Sequence, residues 1–257
     1  MGGQTLDLGS LRPQERPREH PGTTTGVGMG LPTPFASMMS AMHRPVYESR
    51  LRELVRRIIP HLQAGDRVLD VGCGNGTLGK ALMEAPGCPQ GVRVEGLERV
   101  VRGGEPIPVH AYDGKSMPFA DAIYDMVIVA DVLHHEEQPD RLIAECARVS
   151  RRLVVIKDHQ IKGVFAQRRV SFMDWAANAP YGVPCLYRYH TPQEWSATLA
   201  RHDLRVVERL DRINLYPPVV NAVFGGGLQF MAVAQVPGRA GVPCEPGERL
   251  DSGKAEA

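Results

Sequence analysis

The stretch Arg67–Gly79 reads RVLDVGCGNGTLG, and the chemistry of the chain begins there. Val68, Leu69 and Val71 form the short apolar run of a buried parallel strand, with Asp70 near its end. Gly72, Gly74 and Gly76 follow at alternate positions, and Thr77–Met83 has the composition of a helix. Strand, glycine turn and helix start together form a ligand cradle. Glycine lets the backbone turn tightly and approach a ligand, and a helix N-terminus presents unpaired N–H groups. The dinucleotide fingerprint G-x-G-x-x-G would need a glycine where Thr77 stands, and no Gly-Lys-Ser/Thr of a phosphate loop follows. Taken alone, the loop implies a nucleotide-like ligand or a purely structural turn. Val92–Leu97 then alternates as a second strand and ends on Glu98. A carboxylate at that tip, about 20 residues beyond the turn, suits a ribose diol because it accepts two hydrogen bonds. The plain alternative is a solvated strand-end glutamate.

Further candidates fall where successive strands end. Asp113-Gly114 is either a contact for the edge of a base or an ordinary turn. Asp125–Ala130 is an apolar strand followed by Asp131, Leu133, His134 and His135. Val154–Ile156 is another, followed by Lys157, Asp158 and His159. Open α/β sheets bind ligands beyond the carboxyl ends of their strands. A neighbouring Asp and His there can form a base with its orienting carboxylate. Adjacent side chains on an extended backbone point to opposite faces, so Asp158 and His159 would need a bend to converge.

In this order, VLDVGCGNG, then Glu98, then YDGKSMPFADAIYDMVIVADVLHH, residues about 45 to 235 resemble the class I S-adenosylmethionine-dependent methyltransferases, nearest to the small-molecule group that includes quinone-biosynthesis enzymes. The resemblance implies a Rossmann-like, doubly wound α/β fold: a mostly parallel seven-stranded sheet whose last strand is antiparallel. It implies S-adenosylmethionine as cofactor. Gly72, Cys73 and Gly74 would allow close approach, and Glu98 would take the ribose. Asp113 and Gly114 would meet the adenine. Asp70, the Gly72 carbonyl, Ala130 and Asp131 would lie at the methionyl end. His135, Asp158 and His159 are the candidates for acting on the acceptor.

The elements that must position these residues follow from periodicity. Tyr47, Leu51, Leu54, Val55, Ile58, Ile59 and Leu62 share one helical face, and Pro60 limits that helix. Strands are expected at 67–71, 92–97, 107–111, 126–130 and 153–156, and helices at 77–85 and 140–150. Thr191-Pro192-Gln193-Glu194 is a capping box that opens a helix to about His202. Strands at 204–210 and 228–236 close the sheet. The linker Arg99–Pro106 is too short for a long crossover helix. Between the fifth strand and the capped helix, residues 160–195 gather Phe165, Phe172, Trp175, Tyr181, Tyr187, Tyr189 and Trp195. This segment is read either as a substrate cap, with His134, Arg168, Trp175, Tyr187 and Tyr189 touching the acceptor, or as a satellite core. The domain thus spans 41–236, with a flexible arm at 1–40 and a loose tail at 237–257.

Composition narrows the partners. A net charge of +1 offers no electrostatic grip on nucleic acid, and the Asn/Asp-Pro-Pro-Tyr/Phe motif is missing. Five cysteines without a C-x-x-C pair fit reduced thiols in the cytoplasm, and no metal is expected. No apolar run is long enough to span a membrane. The expected partner is a small molecule, aromatic or lipid-like, methylated on O, N or C. The competing readings are a nicotinamide-dependent oxidoreductase and a catalytically silent protein that kept the fold. The oligomeric state is not legible.

Overall fold

Strand β1 (Arg67–Val71) is apolar on both faces because both faces are covered. It lies at the centre of a sheet with β2 (Arg93–Glu98), β3 (Val109–Ala111), β4 (Tyr124–Ala130) and β5 (Ser150–His159), all parallel. Beyond β5 come β7 (Gln229–Gln235), antiparallel to both its neighbours, and β6 (Arg205–Leu210). The order of the seven strands is β3-β2-β1-β4-β5-β7-β6. Strand order therefore reverses between β1 and β4, and that switch point opens a crevice at the carboxyl ends. The computed structural model describes residues 33–178 and 185–238, with side chains from residue 45 onward. Two units are distinguished, Met1–Met39 and Ser40–Ala257. The sheet belongs to the second.

The period of two along each strand sorts the core. Val68, Val94, Met126, Ile128 and Val155 face one way, onto Leu54 and Ile58 of α1 (Thr33–Ile58) and Leu78 and Leu82 of α2 (Thr77–Glu84). Leu69, Leu97, Val127, Val129 and Val154 face the other way, onto Ile143 and Cys146 of α3 (Pro139–Val149) and Trp195 and Leu199 of α5 (Pro192–Arg201). The capping box is formed: Thr191 accepts from the Glu194 N–H, and Glu194 accepts from the Thr191 N–H at 2.7 Å. Pro60 lies in a 3-10 turn, Ile59–His61, that ends the first helix as its sequence predicts.

The elements differ from expectation in places. α3 ends at Val149, and β5 starts at once with Ser150 and runs ten residues rather than the four apolar ones. The third strand is only Val109–Ala111. Segment 160–195 contains α4 (Ala166–Asn178), and α6 (Pro218–Phe224) precedes β7; neither was anticipated, because their apolar residues are few and partly exposed. α1 starts at Thr33. The rest of the expected arm, residues 1–32, together with 179–184 (including Tyr181) and 239–257 of the expected tail, lies outside the described residues.

Trp195 shows how the antiparallel half is fastened. Its ring stacks on Phe230 of β7 at 4.6 Å, and its indole N–H donates to the His159 carbonyl at 3.1 Å. The side chain is fully buried. Trp195→Ala should therefore cost about 3–5 kcal/mol in urea unfolding, while Val219→Ala on the exposed face of α6 should stay within about 0.5 kcal/mol. Equal midpoints for the two variants would contradict this packing.

Candidate functional site

Asp70 is nearly the last residue of β1 and faces the α1 side of the sheet, in line with Val68. It is buried, and its Oδ2 has no hydrogen-bond partner. Burial pushes its carboxyl up to about 7; Arg50 pulls the other way, and the Glu98 charge adds to the rise. The turn that follows depends on glycine at two points. Gly72 has φ +67°, and a Cβ there would overlap the Val132 side chain beyond β4. Gly74 has φ +58°, and a Cβ there would enter open space. Glu98, at the tip of β2, accepts from the Gly74 N–H at 2.9 Å and from the Arg99 N–H at 2.8 Å. Cys73 turns inward against Gly96 of β2, where no side chain would fit, and burial pushes its thiol up to about 12. Cys73 therefore offers the crevice its backbone and not a nucleophile.

Asp113 is exposed, and its carboxylate accepts from the Lys115 and Ser116 N–H groups at 2.7 and 3.1 Å, which is the turn its sequence allowed. Asp113 and Gly114 also line a hollow of about 520 Å³ with Arg99, His135, Glu136 and Leu186. That is an ordinary volume for a small-molecule site. Asp70 and Glu98 do not line this hollow. Arg99 lies against Gly114 and pairs with Glu136 at 2.7 Å, so one side chain spans the space between the end of β2 and the loop after β4.

A denser set of charges lies beyond β4 and β5. Asp131 directly follows Ala130 and adopts φ +59°, a left-handed conformation held by its neighbours. Its carboxylate accepts from Arg50 Nε of α1 at 2.8 Å and from the buried Lys157. Burial opposes its charge, but Lys157 and then Arg50 outweigh that and hold its carboxyl well below the usual range. Asp158 is also buried, and its partner is His134. An ionised carboxylate only accepts, so His134 Nδ1 carries the hydrogen and donates to Asp158 Oδ1 at 2.6 Å. Burial disfavours the imidazolium of His134, but Asp158 and Asp174 prevail and raise it to about 10. His159 is buried as well. Burial and then Lys157 push it down to about 3, and its Nδ1 has no partner.

Asp174 of α4 completes this group. It accepts from the Tyr189 hydroxyl at 2.6 Å and from Asn178 Nδ2 at 2.8 Å. Its Oδ1 lies 3.6 Å from His134 Nε2 and 3.8 Å from His135 Nε2.

The structure thus brings together His134, His135, Asp158, His159, Asp131 and Tyr189 of the sequence candidates. Asp70, Gly72, Cys73, Gly74 and Glu98 form a second group at the glycine turn, and Asp113 and Gly114 lie in the hollow beside His135. The side-chain pair expected between Asp158 and His159 does not form; Asp158 pairs with His134 instead. Arg168 lies over the exposed Phe165, Trp175 packs beside Phe172, and Tyr187 is exposed at φ +53°. None of these three lines the hollow. Sequence reasoning missed Arg50, Lys157 and Asp174 as parts of the site. Only Asp174 carried a signal, as an acid placed among aromatics.

Residues 42–209 match a family model described as a methyltransferase domain, which is more than half of the chain. A 118-residue stretch is 33% identical to 27-O-demethylrifamycin SV methyltransferase of Amycolatopsis mediterranei, covering 40% of this chain and 41% of that protein. A 100-residue stretch is 33% identical to the ubiquinone/menaquinone biosynthesis C-methyltransferase UbiE of Bordetella avium, covering 35% of this chain and 38% of that one. The chain therefore spans about two-fifths of the length of these relatives. Among solved structures, a chain in the complex of the Haloferax volcanii Trm112 methyltransferase activator with a methyltransferase superposes with TM-score 0.57 at 17% identity, over 79% of this chain and 95% of that one. The last similarity concerns the fold. Among the described residues, no helix is long and apolar enough to cross a membrane. With the glycine turn, the carboxylate at the tip of β2 and the strand order all in place, the family match decides between hydride-transfer and methyl-transfer readings: the chain belongs to the class I S-adenosylmethionine-dependent methyltransferases.

Proposed function

We propose that this chain transfers the methyl group of S-adenosylmethionine to a small-molecule acceptor. The observation that carries the reading is the unpartnered Oδ2 of Asp70, buried beside a glycine turn whose Gly74 faces open space. A buried carboxylate oxygen without a donor is costly unless a ligand supplies one. The ammonium of the cofactor's methionyl end is such a donor. Glu98 is assigned to the ribose hydroxyls, taking them in place of the Gly74 N–H. Asp113 and Gly114 are assigned to the adenine, and the Ala130 carbonyl and Asp131 to the methionyl side. The two relatives are named for a rifamycin and for quinone biosynthesis, which supports a small, ring-containing acceptor.

The bound cofactor supplies an electrophilic methyl group on a positively charged sulfur, ready for in-line displacement. The protein's contribution is alignment and exclusion of water. Within the hollow, the end at Asp113 and Gly114 is assigned to the adenine and the end at His135 to the acceptor. Of the three side chains expected to act on it, His135 alone lines that hollow. Asp158 does not line it; it holds His134, the residue before His135, and is a positioning residue. His159, with its imidazole held near 3, is too weak a base to take a proton from an acceptor at neutral pH.

Calorimetry with S-adenosylhomocysteine tests the cofactor site. The chain should bind it, and Glu98→Gln should weaken binding by about ten- to a hundredfold, the worth of hydrogen bonds to a charged group. Absence of binding by the folded chain would reject the reading. The methylated product is found by incubating the chain with isotopically labelled S-adenosylmethionine and a metabolite extract. A labelled small molecule is expected, and binding without any labelled product would make the chain a silent member of its family.

The pH dependence has a definite sign. Asp70 titrates near 7 in the folded chain and near 3.8 when unfolded, so its ionisation disfavours the folded, ligand-free state. The stability it contributes falls as pH rises from about 4 to about 7. An ammonium beside it favours the ionised form, so S-adenosylhomocysteine should bind more tightly as pH rises from about 6 to about 8, with a proton released. Asp70→Asn should bind more weakly and lose that slope. An unchanged slope in the variant would remove Asp70 from the site.

A further inference from the structure

The geometry points to a divalent transition-metal site, of the kind that takes zinc or ferrous iron, formed by His134 Nε2, His135 Nε2 and the carboxylate of Asp174. Among the described residues these side chains form a three-ligand group whose donor atoms all lie within 4.8 Å of one another. The two measured nitrogen-to-oxygen separations are 3.6 and 3.8 Å. Around zinc, with bonds of about 2.0–2.1 Å, tetrahedral ligands stand about 3.3–3.5 Å apart. Each of these two separations therefore needs to close by only a few tenths of an ångström. Two histidines and one carboxylate on one side of an ion, with positions left open on the other, are the donors that zinc and non-haem iron favour.

The surroundings are those of a built site. His134 donates its Nδ1–H to Asp158, which fixes the ring with Nε2 toward Asp174; an ion there would take the place of the Nε2 proton. A histidine whose second nitrogen is held by a carboxylate in this way is the usual arrangement behind a metal ligand. Asp174 is fixed by the Tyr189 hydroxyl on Oδ2 and by Asn178 on Oδ1. His134, Asp158 and Asp174 are all buried, so two carboxylates flank one imidazole away from water. That is a local excess of negative charge that a divalent cation answers.

The open side of the site is set by His135, which is half-buried and lines the hollow with Asp113 and Arg99. Three protein ligands with a free position is the pattern of an ion that works on a substrate rather than one that only braces a fold. With the ion bound, His135 Nε2 is a ligand and not a proton acceptor, and polarisation of an acceptor oxygen in the hollow passes to the metal. This last consequence rests on the methyl-transfer reading; the binding site itself does not.

The test uses the tag-free full chain, stripped with chelator, and titrated with zinc in a calorimeter and with cobalt by visible absorption. One ion per chain is expected, with the ligand-field bands of a four- or five-coordinate cobalt. Asp174→Asn and His135→Gln should each weaken binding at least about a hundredfold, and Asp158→Asn about ten- to a hundredfold through the orientation of His134. Circular dichroism and thermal melting confirm that each variant is folded. His135, being partly exposed, keeps the test decisive if the buried variants unfold. No one-to-one binding, or binding unchanged in His135→Gln, would overturn the site and assign any residual affinity to surface histidines such as His202 beside Asp140. Binding of S-adenosylhomocysteine is measured separately, so loss of the metal site and loss of the methyl-transfer reading are distinguished.

Discussion

Buried or partly buried carboxylates at the carboxyl ends of β1, β4 and β5 govern this molecule, because charge taken out of water must be answered by a partner. Asp131 is answered by Arg50 and Lys157, and Asp158 by His134. Asp70 keeps one oxygen without a partner. The first pair of contacts ties α1 to the crest of the sheet and holds the backbone of Asp131 at a positive φ just where β4 ends. The second locks the short helical turn that carries His134 and His135. What is left, at the centre of the sheet and beside the glycine turn, is a buried carboxylate with one oxygen that no donor meets.

The strand order explains why these groups meet. Reversal between β1 and β4 leaves a gap at the carboxyl ends where no helix crosses, and the residues after Val71 and Ala130 fall on its two sides. Gly72 allows the loops after β1 and β4 to touch, since any side chain there would strike Val132. Gly96 allows the turn to close onto β2, since Cys73 fills the space a side chain would need. Sterics close the cradle, and electrostatics give it polarity.

Much of the cradle was legible in the sequence because it is local. RVLDVGCGNG carries strand, turn and helix start in consecutive residues, and Glu98 stands at the tip of an alternating strand. The capping box at Thr191 is equally local and forms as its residues predict. What was hidden depends on contacts far apart in the chain. Arg50 and Asp131 are 81 residues apart, and Asp158 and His134 are 24 apart, distances over which periodicity carries no signal. Lys157, Asp158 and His159 look like a polar strand end, yet all three are buried because β5 runs on beside β7 and the residues after β4 pack against it. The helix bearing Asp174 escaped notice because Phe172 and Trp175 are exposed on it, which blurs its apolar face.

The central claim is that the uncompensated charge of Asp70 is reserved for the cofactor's amino group. A crystal structure of the chain with S-adenosylhomocysteine tests it most directly. The ligand's ammonium should hydrogen-bond Asp70, and its ribose should occupy Glu98 with the Gly74 bond released. Ligand bound elsewhere, with Asp70 still unpartnered and Glu98 still on Gly74, would contradict the account.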